Sequence, residues 1–277
     1  MGTAIKAEFR KVLTTKLWWA LLIPSAAVAF LANLSFAAIS ASADGIDGSD
    51  LHIPLGYLSL GVSFSFTSIF ASIFGALALA GENRHRTITT TYLTGARGSV
   101  LGAKLIVYGI FGLGYGVITL AFATLGVVIP ASSNALPDAG SWLLISLVGI
   151  VVIALWAVLG VGLGGLISNQ VAVVLTLPLY GLIGESLLRG LLSAMKIQAV
   201  GNYLPVQASS GSVISLALQR FLGELNVPAG SPEIDQARNA LDATGLPDWW
   251  VSGLAFLAWT AVFCLIGWAI SRRRDVT

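Results

Sequence analysis

The densest cluster of charge in this sequence is Gly81-Glu82-Asn83-Arg84-His85-Arg86-Thr87-Ile88-Thr89, set between two long apolar runs. Glu82 can accept charge-assisted hydrogen bonds. Arg84 and Arg86 can reach acidic groups through forked guanidinium donors. A cluster of this kind needs water or a partner protein, so its chemistry is recognition rather than bond making. Glu82, Asn83, Arg84, His85, Arg86 and Thr87 are therefore the residues through which work from outside would enter. A second charged pair, Glu185 and Arg189, lies toward the end of another apolar run. Four residues apart on a helix, the two side chains can face each other. Intramembrane charge is costly and is usually paired or functional. Two readings follow: a structural ion pair near the headgroups, or a polar element of an outer gate.

Other patterns imitate enzyme sites. Gly160-x-Gly162-x-x-Gly165 has the spacing of a dinucleotide fingerprint, but that fingerprint needs a strand–turn–helix in a βαβ unit. Here it ends an apolar run, where close helix packing through small residues is the expected use. Gly112-x-x-x-Gly116 and Gly160-x-x-x-Gly164 read as helix-packing seams for the same reason. Gly98-x-x-x-Gly102-Ala103-Lys104 has neither the spacing of a phosphate loop nor a Ser or Thr after its lysine. The two histidines, His52 and His85, are expected on opposite sides of a membrane, which argues against a shared metal site or a Ser–His–Asp arrangement. One cysteine, Cys264, cannot form a disulfide within the chain.

The elements that must position these residues follow from composition. Of 277 residues, 56% are hydrophobic and 10% charged, with a mean hydropathy of +0.86. Soluble domains carry about 25% charged residues. Too little charge is present to coat a globule in water, so the chain reads as an all-α, polytopic membrane protein. Its apolar runs are Leu17–Ser40, Gly56–Ala80, Leu105–Pro130, Ser141–Ile167, Val171–Met195 and Trp249–Ile270. Each can cross a hydrocarbon core of roughly 30 Å as a helix. Such runs satisfy their own backbone as helices, not as barrel strands. Pro24 and Pro178 are expected to kink the first and fifth spans.

Lys and Arg set the orientation. Lys6, Arg10, Lys11 and Lys16 precede the first run. Arg84, Arg86, Arg97 and Lys104 lie between the second and third, and Arg272, Arg273 and Arg274 follow the sixth. The alternate connections carry Asp44, Asp47, Asp50, Asp138, Glu224, Glu233, Asp235, Asp242 and Asp248, and their basic residues are few: Lys196, Arg220 and Arg238. Six spans with both termini cytoplasmic satisfy every segment. Ala41-Ser42-Ala43 resembles a signal-peptide cleavage site, but the preceding run exceeds the usual 7–15 residues and the leader contains Glu8. Residues 1–16 form an amphipathic leader helix. Ile5, Phe9, Val12 and Leu13 share one face, and Lys6, Arg10, Lys11 and Thr14 the other. It is expected in the cytoplasmic interface, either as a topology anchor or as an elbow touching a partner through Phe9, Arg10 and Lys11. Spans one to five occupy 17–195, an external or re-entrant region 196–248, span six 249–270 and a tail 271–277. In the external region, Ser231-Pro232-Glu233 is a helix start and Gly245 a stop. Upstream, Val213, Ile214, Ala217, Leu218, Phe221 and Leu222 give an amphipathic stretch expected to dip into or lie on the outer leaflet.

Several of these features converge on one family. Glu8-Phe9-Arg10-Lys11-Val12-Leu13-Thr14-Thr15-Lys16-Leu17-Trp18-Trp19 is a basic leader entering an aromatic-led span. It is followed by Gly81-Glu82-Asn83-Arg84-His85-Arg86-Thr87-Ile88, then Gly162-Leu163-Gly164 with Asn169-Gln170, then Glu185, then an outer region before the last span. In this order the chain resembles, over its whole length, the permease subunits of type-2 ABC exporters. The resemblance implies a single transmembrane permease domain over 1–277 that pairs with a second permease as homodimer or heterodimer. Each permease would dock an ABC ATPase subunit on the cytoplasmic side of a bacterial inner membrane. ATP and Mg would be bound by that partner, with no cofactor in this chain. The stretch Glu82–Thr87 would form the coupling element, with the leader beside it. Arg86 stands where the family commonly has Gly, and Ser168 where a basic residue often precedes Asn-Gln.

The expected function is then outward movement of a hydrophobic or amphipathic solute such as a drug, antibiotic, lipid or peptide. Lipid surrounds the chain, and nothing calls for nucleic acid. A channel or secondary transporter independent of an ATPase is the alternative, but such proteins place ionisable or broken-helix sites near the midplane, and the central parts of these spans are nearly free of charge. A membrane scaffold or embedded enzyme is a further alternative, for which convergent polar groups are sparse.

Overall fold

A computed structural model describes residues 2–43, 55–84, 97–130, 137–167, 169–224, 232–240 and 244–273. Among the described residues the chain is all-helical. Its helices are α1 Gly2–Thr14, α2 Leu17–Ala43, α3 Gly56–Arg84, α4 Arg97–Val128, α5 Ala139–Leu166 and α6 Gln170–Leu179. A π turn, Tyr180–Gly184, leads into α7 Glu185–Ala194, followed by α8 Gln198–Gly201, α9 Pro205–Glu224, α10 Pro232–Ala240 and α11 Trp249–Arg273. Six helical stretches are long and apolar enough to cross a membrane: α2, α3, α4, α5, α6 through α7, and α11. The protein is a multi-pass membrane protein. Large apolar side chains such as Ile23, Leu31, Leu254 and Leu265 are exposed on its outside, as a hydrocarbon surround permits.

The spans are not equivalent. In α3, 72% of the most apolar window is buried, against 56% in α5 and 17–33% in the other four spans. So α3 is the central helix, and its most extensive packing is against α5. Glycine makes that contact possible. A Cβ at Gly160 would lie 2.2 Å from the Ser72 carbonyl oxygen, and one at Gly164 2.2 Å from that of Ala76. On the opposite side of α5, a Cβ at Gly162 would lie 2.7 Å from the Phe263 backbone in α11. The Gly160-x-Gly162-x-x-Gly165 pattern is thus a two-sided packing surface. Gly112 and Gly116 bring α4 against Ala154 and Ile150 of α5 in the same manner.

Polar glue adds to packing. Asn33 in α2 donates to the Ser63 hydroxyl at 2.7 Å and accepts from the Ser59 hydroxyl at 2.6 Å, joining α2 to α3. Helix starts are capped locally. Asp138 accepts from the Ser141 amide at 2.8 Å, an interaction that holds its carboxyl below the ordinary range. Asn169 accepts from the Val171 and Ala172 amides at 3.0 and 3.3 Å. The Asn-Gln motif therefore has a local use as the start of α6.

Three expectations about element boundaries change. First, α3 runs on to Arg84 instead of ending at Ala80, so Glu82 belongs to a helix end and not to a loop. Second, α4 starts at Arg97 instead of Leu105. Val100, Leu101, Ala103 and Lys104 are all buried there, and local hydropathy does not reveal burial that another helix creates. Third, the stretch around 213–222 belongs to α9, a 20-residue helix packed against α11 and α3 inside the bundle. Pro178 lies within α6, immediately before the π turn. A helix starts at Pro232 as its signature demands, while Ser231 lies outside the described residues. Gly245 has φ +68° in the turn before α11, a left-handed conformation that favours glycine.

Candidate functional site

Two polar assemblies stand out, one at the C-terminal end of α3 and one beside its middle turns. The first is built from the leader helix. Its buried residues are Glu8 and Val12, while Leu13 is 52% exposed. The inward face is therefore Ile5–Glu8–Phe9–Val12 rather than the purely apolar stripe that includes Leu13. Phe9 packs on Phe111 of α4 with ring centroids 5.1 Å apart. That contact docks α1 onto the bundle and turns Glu8 toward the end of α3. Arg10 stays exposed.

Lys104, only 1% exposed, projects from α4 into the same place. Its ammonium donates to Glu8 Oε2 at 2.8 Å and to Glu82 Oε1 at 2.7 Å. Lys11 donates to Glu8 Oε1 at 2.8 Å and to Glu82 Oε1 at 2.9 Å. The four groups close a ring of alternating sign, Glu8–Lys104–Glu82–Lys11. Two carboxylates and two ammoniums balance, so the charge of Lys104 tolerates burial. Burial alone would raise the Glu8 carboxyl, but the Lys104 and then the Lys11 ammonium outweigh it and hold it below its ordinary value. For Lys11, burial pulls the ammonium down, and its hydrogen bonds to Glu8 and Glu82 reverse that and raise it.

This geometry corrects the reading of Glu82 as a solvated loop residue. It is tied to two other helices within the chain. Asn83 and Arg84 complete the last turn of α3, whereas His85, Arg86 and Thr87 lie outside the described residues. Glu8 and Lys104 were not singled out from the sequence as site residues. The available signals were a lone acid in an otherwise basic leader and a lysine at the edge of an apolar run.

The second assembly surrounds Glu185. Its Oε2 accepts from the Val206 amide at 2.8 Å, and its Oε1 accepts from the Gln207 amide. Both carboxylate oxygens are thus spent on the first turn of α9, whose unpaired N–H groups and positive dipole end favour an anion. Arg189 donates to Gln207 Oε1 at 3.2 Å. Glu185 and Arg189, expected to face one another, thus converge on Gln207. Nearby, the Tyr203 carbonyl accepts from the Trp259 indole at 2.7 Å, and Asn202 donates to the Gly245 carbonyl at 2.6 Å. These bonds fix the connection between α7 and α9 against α11.

Between α3, α5, the π turn and α9 lies a cavity of about 290 Å³. Ser65, Ser68, Ser72, Trp156, Glu185 and Gln207 contribute to its polar wall, and Ile69, Leu177, Ile214 and Leu246 to its apolar one. Among the described residues no group of three His, Cys, Asp or Glu side chains is arranged to hold a metal ion. No protein-family model matches the chain, and no curated protein matches it.

Proposed function

We propose that this chain is the permease subunit of an ATP-driven ABC exporter. It moves a hydrophobic or amphipathic solute out of the cell on work supplied by a separate ATPase subunit. The observation that carries this reading is the closed ring of Glu8, Lys104, Glu82 and Lys11. The ring joins the leader, the end of α3 and the start of α4 into one body. It sits where Lys and Arg gather, the side expected to be cytoplasmic. A push on that body passes directly into α3, the most buried span, and α3 supplies Ser65, Ser68 and Ser72 to the cavity wall. Energy coupling requires an element that partner and solute bias differently, and a helix gripped at one end and lining a cavity along its length meets that requirement.

In this reading α1 lies in the cytoplasmic interface of a bacterial inner membrane, with both termini cytoplasmic. The segment α8–α9 is re-entrant, a view favoured by the Trp259–Tyr203 bond, because Trp259 lies ten residues inside a 25-residue helix. Asn83, Arg84, His85, Arg86 and Thr87 would meet the ATPase, while Glu82 and Lys11 transmit. A second permease completes the transporter, and ATP and Mg belong to the ATPase.

The deciding experiment is purification of the tagged chain from its native membrane in mild detergent. A stoichiometric co-purifying ATPase is expected. A chain that purifies without one and moves solute alone in vesicles sinks the reading. Coupling is tested with Arg84→Ala and Arg86→Ala together, because Glu82→Ala would also open the ring. The double variant should keep wild-type abundance and lose solute-stimulated ATP hydrolysis; unchanged stimulation and export would remove the coupling assignment.

A further inference from the structure

The cavity between α3, α5, the π turn and α9 has an uneven hydrogen-bonding wall. Ser65 gives its hydroxyl proton to the Gly61 carbonyl at 3.0 Å, Ser68 to Ser65 at 2.6 Å and Ser72 to Ile69 at 2.8 Å. Across the cavity, Ser209 and Ser210 both donate to the Val206 carbonyl, at 2.8 and 2.7 Å. Each serine therefore spends its proton on its own helix and keeps oxygen lone pairs in reserve. The hydroxyl row is a set of acceptors. A separate observation supplies a donor. Trp156 belongs to the same wall, is only 7% exposed, and its indole N–H has no hydrogen-bond acceptor among the described residues. Buried polar groups are normally paired, so an unpaired indole donor in a cavity wall points to an acceptor supplied from outside the chain.

Charge and access narrow the ligand. The wall contains Glu185 and Arg189, one of each sign, and both carboxylate oxygens are already taken by amides of α9. Glu185 and Arg189 of the wall attract each other, so a charged ligand would have to displace one of them to gain a counter-charge and would lose hydration there. Phe66 and Leu182 line the cavity and are 48% and 57% exposed. The exposed part of the lining is therefore apolar. At about 290 Å³ the space lies at the lower end of small-molecule sites, which run from roughly 300 to 1,000 Å³.

We propose that this cavity binds an uncharged amphipath whose polar end carries hydroxyl donors beside a carbonyl-type acceptor, the donors meeting the serine oxygens and the acceptor meeting Trp156. A monoacylglycerol-like molecule has that chemistry. Its short apolar chain would lie along Ile69, Leu177 and Leu246. As a binding site the assignment stands alone. As the class of exported solute it rests on the exporter reading.

The test uses the full chain in nanodiscs and a monooctanoylglycerol probe bearing a diazirine on its chain. After irradiation, crosslinked peptides are mapped by mass spectrometry, with unlabelled monooctanoylglycerol, methyl octanoate, octyl sulfate and octyltrimethylammonium as competitors. Crosslinks are expected within α3, the π turn and α9, competed best by monooctanoylglycerol. Trp156→Phe keeps an aromatic ring and removes the donor, and competition should weaken roughly five- to tenfold. Gly181→Leu narrows the cavity at a position where an added Cβ meets nothing within 4 Å. It should fold normally and abolish site-specific labelling. Equal competition by methyl octanoate, better competition by either charged amphipath, labelling confined to other surfaces, or unchanged affinity in Trp156→Phe each overturns the proposal. A co-purifying ATPase with no site labelling removes the site and leaves the exporter reading. Site labelling without any ATPase does the reverse.

Discussion

Replacing Lys104 with methionine isolates the ring at the end of α3. The substitution keeps the apolar stem and removes the one ammonium that is fully buried, at 1% exposure. It breaks hydrogen bonds of 2.8 Å to Glu8 and 2.7 Å to Glu82, leaving two carboxylates to share Lys11. Breaking a buried pair by deleting one partner costs about 3–5 kcal/mol, largely through the stranded charge. Lys11 still bridges both acids, which puts the loss near the lower figure, about 3 kcal/mol. Chains of this size move by roughly 2–4 °C per kcal/mol, so the melting midpoint should fall by about 6–12 °C. The assay is intrinsic-fluorescence melting in one fixed detergent or nanodisc, with scan rate held constant because unfolding of such proteins is often irreversible. Adding Glu8→Gln to Lys104→Met removes the stranded charge and should recover at least half of the fall. A single variant within about 2 °C of wild type, or a double variant no better than the single, refutes the argument. The pH dependence has a definite sign. The Glu8 carboxyl is held below its ordinary value in the fold, so its contribution is full above that ordinary value and is lost as pH falls through the depressed one. Lys11 is raised, so its contribution is present below its ordinary value and lost only as pH rises through the raised one. The Glu8 and Lys11 contributions are both present across neutral pH, and acidification should lower the midpoint of wild type more than that of Glu8→Gln.

Gly160→Ala places a methyl carbon 2.2 Å from a backbone oxygen of α3 and should cost about 1–3 kcal/mol by overpacking, whereas Gly114→Ala, with nothing within 4 Å of the added carbon, should leave the same melting midpoint unchanged or slightly raised. Glu185→Ala strands two amides of α9 and should destabilise by about 2–3 kcal/mol, with Glu185→Gln recovering part of that. Because Glu185 and Arg189 share Gln207, the double Ala variant should not equal the sum of the singles; simple additivity in melting experiments would dissolve the shared-partner account. In a Cys264→Ser background, cysteines at Asp47, which lies outside the described residues, and at Asp235 should react with an impermeant thiol reagent on intact cells, and one at Arg273 should not. The opposite labelling pattern would invert the proposed orientation.

The sequence alone determined the class and the number of crossings. Each span must satisfy its own backbone in hydrocarbon, so its signal is a local run of apolar residues, and the runs at Leu17–Ser40 and Trp249–Ile270 reappear as the membrane-crossing stretches of helices that run on to Ala43 and Arg273. Glycine spacing was also locally legible as a packing device, because close helix approach needs small residues at whole-turn intervals. Which helix Gly160 and Gly162 touch was not legible, since one turn of α5 serves α3 on one side and α11 on the other. Only the tertiary structure decided the charges. Lys104 meets Glu8 across 96 residues and Glu82 across 22, and Glu185 meets α9 across 21 and 22. A linear reading assigns each charge to water or headgroups by its nearest neighbours in the chain. Whether a charge is instead paired depends on the depth and rotation of helices distant in sequence, which the spacing of residues within one span does not encode.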